Sequence, residues 1–199
     1  MKTATLLALA AAGLIALGTP HADAAERTAR RGAVETADGG VAGKAVGYSG
    51  PHGDAGVRGH GVMTDGKGDA TAVSGAAGRT ANGGTYGRAG KTTVGADGSI
   101  SHRSGAAATG PNGSGKTAGS FTRNPDGSYG GQRSTSANGA NGGAYAGNTT
   151  YANGSGTHTS NATAANGETY SGETTWSKGQ GATHTGTCKD ASGTVIPCR

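Results

Sequence analysis

Residues 110–117 read Gly-Pro-Asn-Gly-Ser-Gly-Lys-Thr, which matches the phosphate-cradling pattern G-x-x-x-x-G-K-[ST] letter for letter. The fold turns on whether this octapeptide is unique in the chain. A nucleotide loop is delivered by a hydrophobic strand, is followed by a helix whose N-terminus faces the phosphates, and relies on a carboxylate elsewhere to help hold Mg²⁺. Here Ser-Gly-Ala-Ala-Ala-Thr precedes it, Ala-Gly-Ser-Phe-Thr-Arg-Asn-Pro follows it, and no apolar run ends in Asp. The octapeptide reads instead as one turn in a series.

That series is carried by glycines. A turn signal ends at Gly39, Gly53, Gly68, Gly83, Gly98, Gly113, Gly127 and Gly142, spaced 14 or 15 residues apart, and continues at Gly154, Gly167, Gly181 and Gly193 with spacings of 12 to 14. An even period in a chain with little apolar content marks an array whose units bury their faces on neighbours. Asn-Gly and Asp-Gly at the joints accept positive φ, as a two-residue primed turn between antiparallel strands demands. Between joints, stretches such as Thr85-Tyr86-Gly87-Arg88 and Thr183-His184-Thr185-Gly186-Thr187 alternate small polar with β-prone residues. They suit strands, while Gly and β-branched content disfavours a helix.

The expected fold is therefore all-β: a repetitive antiparallel meander of units about 15 residues long. A narrow β-solenoid is the alternative, because many units carry a middle glycine (Gly43, Gly75, Gly90, Gly105, Gly119, Gly147, Gly172, Gly186) that marks a bulge, a second corner or a close backbone approach. Partial disorder is the third possibility, since 42 glycines and few large apolar side chains are its compositional signature. The formal net charge of +5 is small for 199 residues and does not force expansion.

The start of the chain reads as an export signal. Lys2 precedes an apolar run from Ala4 to Leu17, and Ala22-Asp23-Ala24 supplies a small-x-small cleavage pattern. The run is shorter than the roughly 20 residues of a membrane span. Every leucine lies within it, so the chain after residue 24 has none, which excludes an ordinary helical or α/β core. The expected organisation is a signal helix over 1–24, a basic leader over 25–38, a Gly-rich β region over 39–187, and a cap over 188–199 closed by Cys188 and Cys198. Two cysteines so close at the end of an exported chain favour an oxidised pair, and their spacing matches no zinc or C-x-x-C pattern.

Candidate chemistry is sparse. Carboxylates are absent between Asp126 and Glu168, and His52, His60, His102, His158 and His184 have no His or Cys at ligand spacing. We expect no catalytic residues, no metal and no cofactor. A basic residue does recur about five positions after a turn glycine, at Lys44, Arg58, Arg88 and Arg103, with Arg133 six after its own. Equivalent positions in paired strands form a column, here a positive stripe with Tyr86, Tyr129, Tyr145 and Tyr170 beside it. Such a stripe suits an anionic glycan, lipopolysaccharide phosphates or nucleic acid; Arg and Lys on strands also discourage pairing with other chains. Thr157/Thr159 and Thr183/Thr185/Thr187 resemble the threonine ranks of ice-binding solenoids over the last units only.

Units such as Ala-Thr-Gly-Pro-Asn-Gly-Ser, Ala-Asn-Gly-Gly-Thr-Tyr-Gly-Arg and Ser-His-Arg-Ser-Gly resemble the Gly/Asn/Thr-rich tandem repeats of small exported proteins of Gram-negative bacteria. The resemblance implies an envelope or secreted setting. Together these features lead us to expect a non-enzymatic, secreted or periplasmic protein with a structural or surface-interaction role. The alternatives are a binding module for an anionic glycan, lipopolysaccharide or nucleic acid, and an ice-binding protein. Cell-envelope polysaccharide is the expected partner, self-association is compatible with the edges of a sheet, nucleic acid is the less favoured ligand, and no membrane span is expected in the mature chain.

Overall fold

The computed structural model describes residues 26–36 and 38–198. The stretch read as a signal peptide lies outside these residues. Thirteen strands form one sheet in strict chain order: β1 (Glu26–Thr36), β2 (Gly39–Ser49), β3 (Ala55–Thr64), β4 (Ala70–Arg79), β5 (Thr85–Val94), β6 (Ile100–Gly110), β7 (Gly113–Arg123), β8 (Tyr129–Gly139), β9 (Ala144–Ala152), β10 (Ser155–Thr163), β11 (Thr169–Ser177), β12 (Gly181–Lys189) and β13 (Val195–Ile196). Neighbours are always antiparallel and always consecutive, so the chain is the expected meander; coils of a solenoid would stack in parallel. The segment expected to be a basic leader is itself the first strand, paired residue by residue with β2. Its sequence, Glu-Arg-Thr-Ala-Arg-Arg-Gly-Ala-Val-Glu-Thr, is free of the Asn-Gly or Asp-Gly signals that mark the other units, and so is easily taken for a tail.

All twelve joint glycines adopt positive φ, from 77° at Gly83 to 134° at Gly39. The turn chemistry differs from the expected primed type. At 50–54, 80–84, 95–99, 124–128, 139–143, 164–168 and 190–194 the first residue's N–H reaches the fifth residue's carbonyl, and the fourth residue, the glycine, donates back to the first. Negative φ at the two central positions followed by a left-handed glycine makes these type I turns with a glycine bulge. Asn153-Gly154, with φ of 50° and 90°, is the two-residue primed turn. In the hairpin of residues 110–117, Gly110 pairs with Gly113, so Pro111 and Asn112 form the bend. A strand follows where a nucleotide loop would have a helix, and Lys116 and Thr117, as neighbours on that strand, point to opposite faces.

The middle glycines make neither bulges nor corners, because each pairs one-to-one within an unbroken register. Gly147 and Gly172 among them, with four other strand glycines, are instead floors for rings. A Cβ on Gly56 would lie 2.6 Å from the Tyr48 ring, and one on Gly78 would lie 2.6 Å from the Tyr86 hydroxyl. Tyr145 overlies Gly147, Tyr170 overlies Gly172, Tyr151 overlies Gly131 and Trp176 overlies Gly156 in the same way. A ring laid over glycine supplies packing that the glycine lacks. This substitutes for a core: Val46, 6% exposed, is the buried hydrophobic side chain among the described residues.

One layer of 13 strands at about 4.8 Å spacing spans roughly 58 Å, with strands of 9 to 11 residues up to about 37 Å long. The two edges differ. β1 offers eleven exposed residues, while β13 is a two-residue stub tied to β12 by the Cys188–Cys198 disulfide, Cα to Cα 5.3 Å.

Candidate functional site

Alternation along each strand and the register between strands assign every strand side chain to one of two faces. Rows of directly opposed residues then run across the sheet. On the first face one central row reads Lys44–His60–Ser74–Gly90–Ser104–Gly119–Arg133–Thr149–His158–Thr174–His184. The adjacent row reads Val46–Arg58–Ala76–Arg88–Ala106–Thr117–Thr135. Four of the five residues expected in the positive stripe, Lys44, Arg58, Arg88 and Arg133, therefore share this face. With His60 and His102 they line one open groove of about 630 Å³.

Arg103 does not belong to that stripe. It stands on the second face, directly opposite Lys91. The reason lies in the turns. The loop before Arg88 closes a second-face pair, Arg79 with Thr85, whereas the loop before Arg103 closes a first-face pair, Val94 with Ile100. An offset of five from the glycine thus lands on opposite faces at the two ends of the sheet. Arg133, six after Gly127 at the same end as Gly98, returns to the first face for that reason.

Two aromatic rows flank the basic groove on the first face. On one side lie Tyr48, Tyr86, Tyr145 and Tyr170, in register across β2 to β11 with glycine or alanine between them. On the other lie Phe121, Tyr151 and Trp176, separated by Gly131 and Gly156. Tyr129 lies one row beyond these, its ring centroid 6.4 Å from that of Phe121. All eight aromatic side chains of the chain are on this face. Sequence reasoning caught four of the tyrosines as neighbours of the stripe but missed the alternation of ring and glycine from strand to strand, which a count of positions from each tip would have exposed.

Three histidines of this face recur in one arrangement. His102, His158 and His184 each bring Nδ1 to 2.8 Å from the hydroxyl of the threonine directly opposite, Thr92, Thr149 and Thr174. Tyr170 Oη also lies 3.0 Å from His184 Nε2. His52 sits apart in the 50–54 turn.

Charge is segregated by position. Strands carry most of the cations, and among the described residues Glu35 is the carboxylate on the first face of the strands, at its outer margin. The turns carry the aspartates, and Asp65, Asp69, Asp97, Asp126 and Asp190 accept backbone N–H bonds there. Asp97, Asp126 and Asp190 are held below the ordinary carboxyl value of 3.8 first by the hydroxyls of Ser99, Ser128 and Ser192, and then by backbone N–H groups that follow the turn. Asp65 is held below it mainly by the Lys67 N–H. No carboxylate enters either central row of the groove, so its cations face solvent without an opposing charge.

The threonine ranks are real on the second face but mixed. Thr150, Thr157, Thr175 and Thr183 form one row, in which Thr175 and Thr183 bond each other at 2.8 Å. Glu173 interrupts the next row between Thr159 and Thr185. Comparison with protein-family models, with curated proteins and with solved structures yields no match.

Proposed function

We propose that this chain is a non-catalytic binding protein of the periplasm or cell exterior that lies along an acidic polysaccharide through the groove on its first face. One observation carries the reading: Lys44, Arg58, Arg88 and Arg133, supplied by four different strands, line a single groove whose rows hold no carboxylate. Unopposed cations on a rigid sheet attract a polyanion without paying for reorganisation. The flanking tyrosines reach over glycines, and Tyr48 and Tyr145 are exposed, so the C–H face of a sugar ring can stack against them.

Spacing favours a glycan over nucleic acid. Arg58 and Arg88 are two strand steps apart, about 10 Å. A nucleic-acid strand in duplex form presents a phosphate every ~3.4 Å. A polymer with one acid group per pair of sugar rings fits the wider interval, and the hydroxyls of Thr117, Thr135 and Thr149 continue the groove for its neutral portions.

The test is retention of the mature chain on an immobilised uronic-acid polysaccharide with one carboxylate per disaccharide. We expect retention that falls steeply between low and physiological salt, a loss of at least tenfold in affinity for Arg58→Ser/Arg88→Ser/Arg133→Ser, and weaker retention on a single-stranded oligonucleotide column. Absence of retention, or a triple variant that binds as the parent does, overturns the reading; tighter binding to the oligonucleotide replaces it with a nucleic-acid reading.

A further inference from the structure

The second face carries a cationic centre of its own. Lys91 on β5 and Arg103 on β6 are directly opposed cross-strand partners, and both are exposed. Like charges in that relation destabilise a sheet. Nothing nearby relieves them: from β2 to β10 no carboxylate occupies this face among the described residues, Glu26 on β1 and Glu173 on β11 being the acids it carries. A repulsive pair held without a counter-charge in the middle of a regular sheet is the mark of a position kept for an anion.

The surroundings fit that use. Lys91 and Arg103 border a shallow depression of about 880 Å³, which their row continues through Ser120 and Gln132 and which Ser134 and Asn148 also line. Its floor is kept low by Gly105 and Ala118 in the adjacent row, which runs on to Ser134 and Asn148. Beyond Gln132 the row that contains the two cations runs on through Thr150 and Thr157. Charge at one end and neutral donors and acceptors along the rest suit an extended, hydroxyl-rich anion better than a compact one.

We infer that this depression is a second, independent site for acidic polysaccharide, so that one copy of the chain holds a polymer on each face and bridges two of them; this rests on the polysaccharide reading of the first face. A single layer makes bridging possible, because nothing but the sheet backbone separates the two ligands and neither can reach the other's site.

Calorimetric titration with a short oligosaccharide of the same uronic-acid repeat, together with light scattering on the long polymer, tests it. We expect two oligosaccharides per chain, one after Lys91→Ser/Arg103→Ser and one after Arg58→Ser/Arg88→Ser. The parent chain should raise the scattering of the polymer several-fold, and either double variant should not. Removing the like-charge pair should also raise the melting temperature of Lys91→Ser/Arg103→Ser, which separates a lost site from a lost fold. A stoichiometry of one in the parent chain, abolished by Arg58→Ser/Arg88→Ser and untouched by Lys91→Ser/Arg103→Ser, overturns the second site and leaves the first. One oligosaccharide per chain abolished only by Lys91→Ser/Arg103→Ser does the reverse, and no binding at all removes both.

Discussion

The Tyr48 and Tyr86 hydroxyls meet 2.8 Å apart, although two strands lie between β2 and β5. Each ring reaches inward over a glycine, Tyr48 over Gly56 and Tyr86 over Gly78, so the contact exists because both intervening positions lack a side chain. The hydrogen bond to Tyr86 is the main cause that raises Tyr48 above its ordinary value of 10.0. Tyr86→Phe should therefore bring the Tyr48 titration down toward that value, read by ultraviolet absorbance against pH. An unchanged titration curve would show that the hydroxyls do not meet in solution.

The turn glycines differ in what replaces them. Gly113 and Gly127 both have positive φ, 132° and 84°, but a Cβ on Gly113 would run into the Asn138 carbonyl, whereas one on Gly127 meets nothing within 4 Å. Gly127→Ala should cost about 1–2 kcal/mol from the left-handed backbone alone. Gly113→Ala meets a φ of 132°, farther from any conformation alanine adopts, and adds a clash with the neighbouring strand. Urea midpoints of the two variants decide the order, and a milder effect at Gly113 would contradict it. The same comparison probes the octapeptide of residues 110–117 as a hairpin.

Acid should loosen the turns before the strands. Asp97, Asp126 and Asp190 are held below 3.8 by their serines and by backbone donors, so the folded chain favours their charged forms. Such stabilisation is complete about one pH unit above 3.8, begins to fall as the unfolded chain starts to take up protons, and is lost as the pH drops through the depressed folded values. Thermal melts should hold level from pH 7 to about pH 4.5 and decline below it. Asp97→Asn/Asp126→Asn/Asp190→Asn should melt lower at neutral pH and show a flatter acid limb.

Arg103 and Arg133 provide a contrast that the sequence alone would have missed. In the Lys91→Ser/Arg103→Ser chain, where the first-face groove alone is left to bind, retention on the polysaccharide column at fixed salt should weaken further with Arg133→Ser. Unchanged retention would show that Arg133 does not touch the polymer.

The bends were legible because positive φ is a demand few residues meet, and each joint glycine proved to adopt it. Their type was not, since Asn-Gly serves both a primed two-residue turn, as at Asn153-Gly154, and a type I turn with a glycine bulge, as at Asn82-Gly83. The loops before Arg88 and Arg103 share the bulge pattern, so the face of each later side chain turns on strand length: the ten residues from Thr85 to Val94 start on one face and end on the other. Hence Lys44, Arg58, Arg88 and Arg133 were recognisable as a stripe while Arg103 was assigned to the wrong side. The rings over glycines were hidden for a related reason: Tyr48 and Gly56 are partners through register, and their separation in sequence carries no period of its own.

Val46 is the buried hydrophobic side chain of a sheet whose valines and tyrosines otherwise stand at least partly in water. Heat capacity on unfolding arises chiefly from newly wetted apolar surface, typically ~12–15 cal/mol/K per residue in globular domains. This molecule has little left to wet, so calorimetry should return an increment well under that range and a stability curve nearly straight with temperature. Cooling would then strengthen it steadily, where a protein built around an oily interior passes its optimum and begins to weaken.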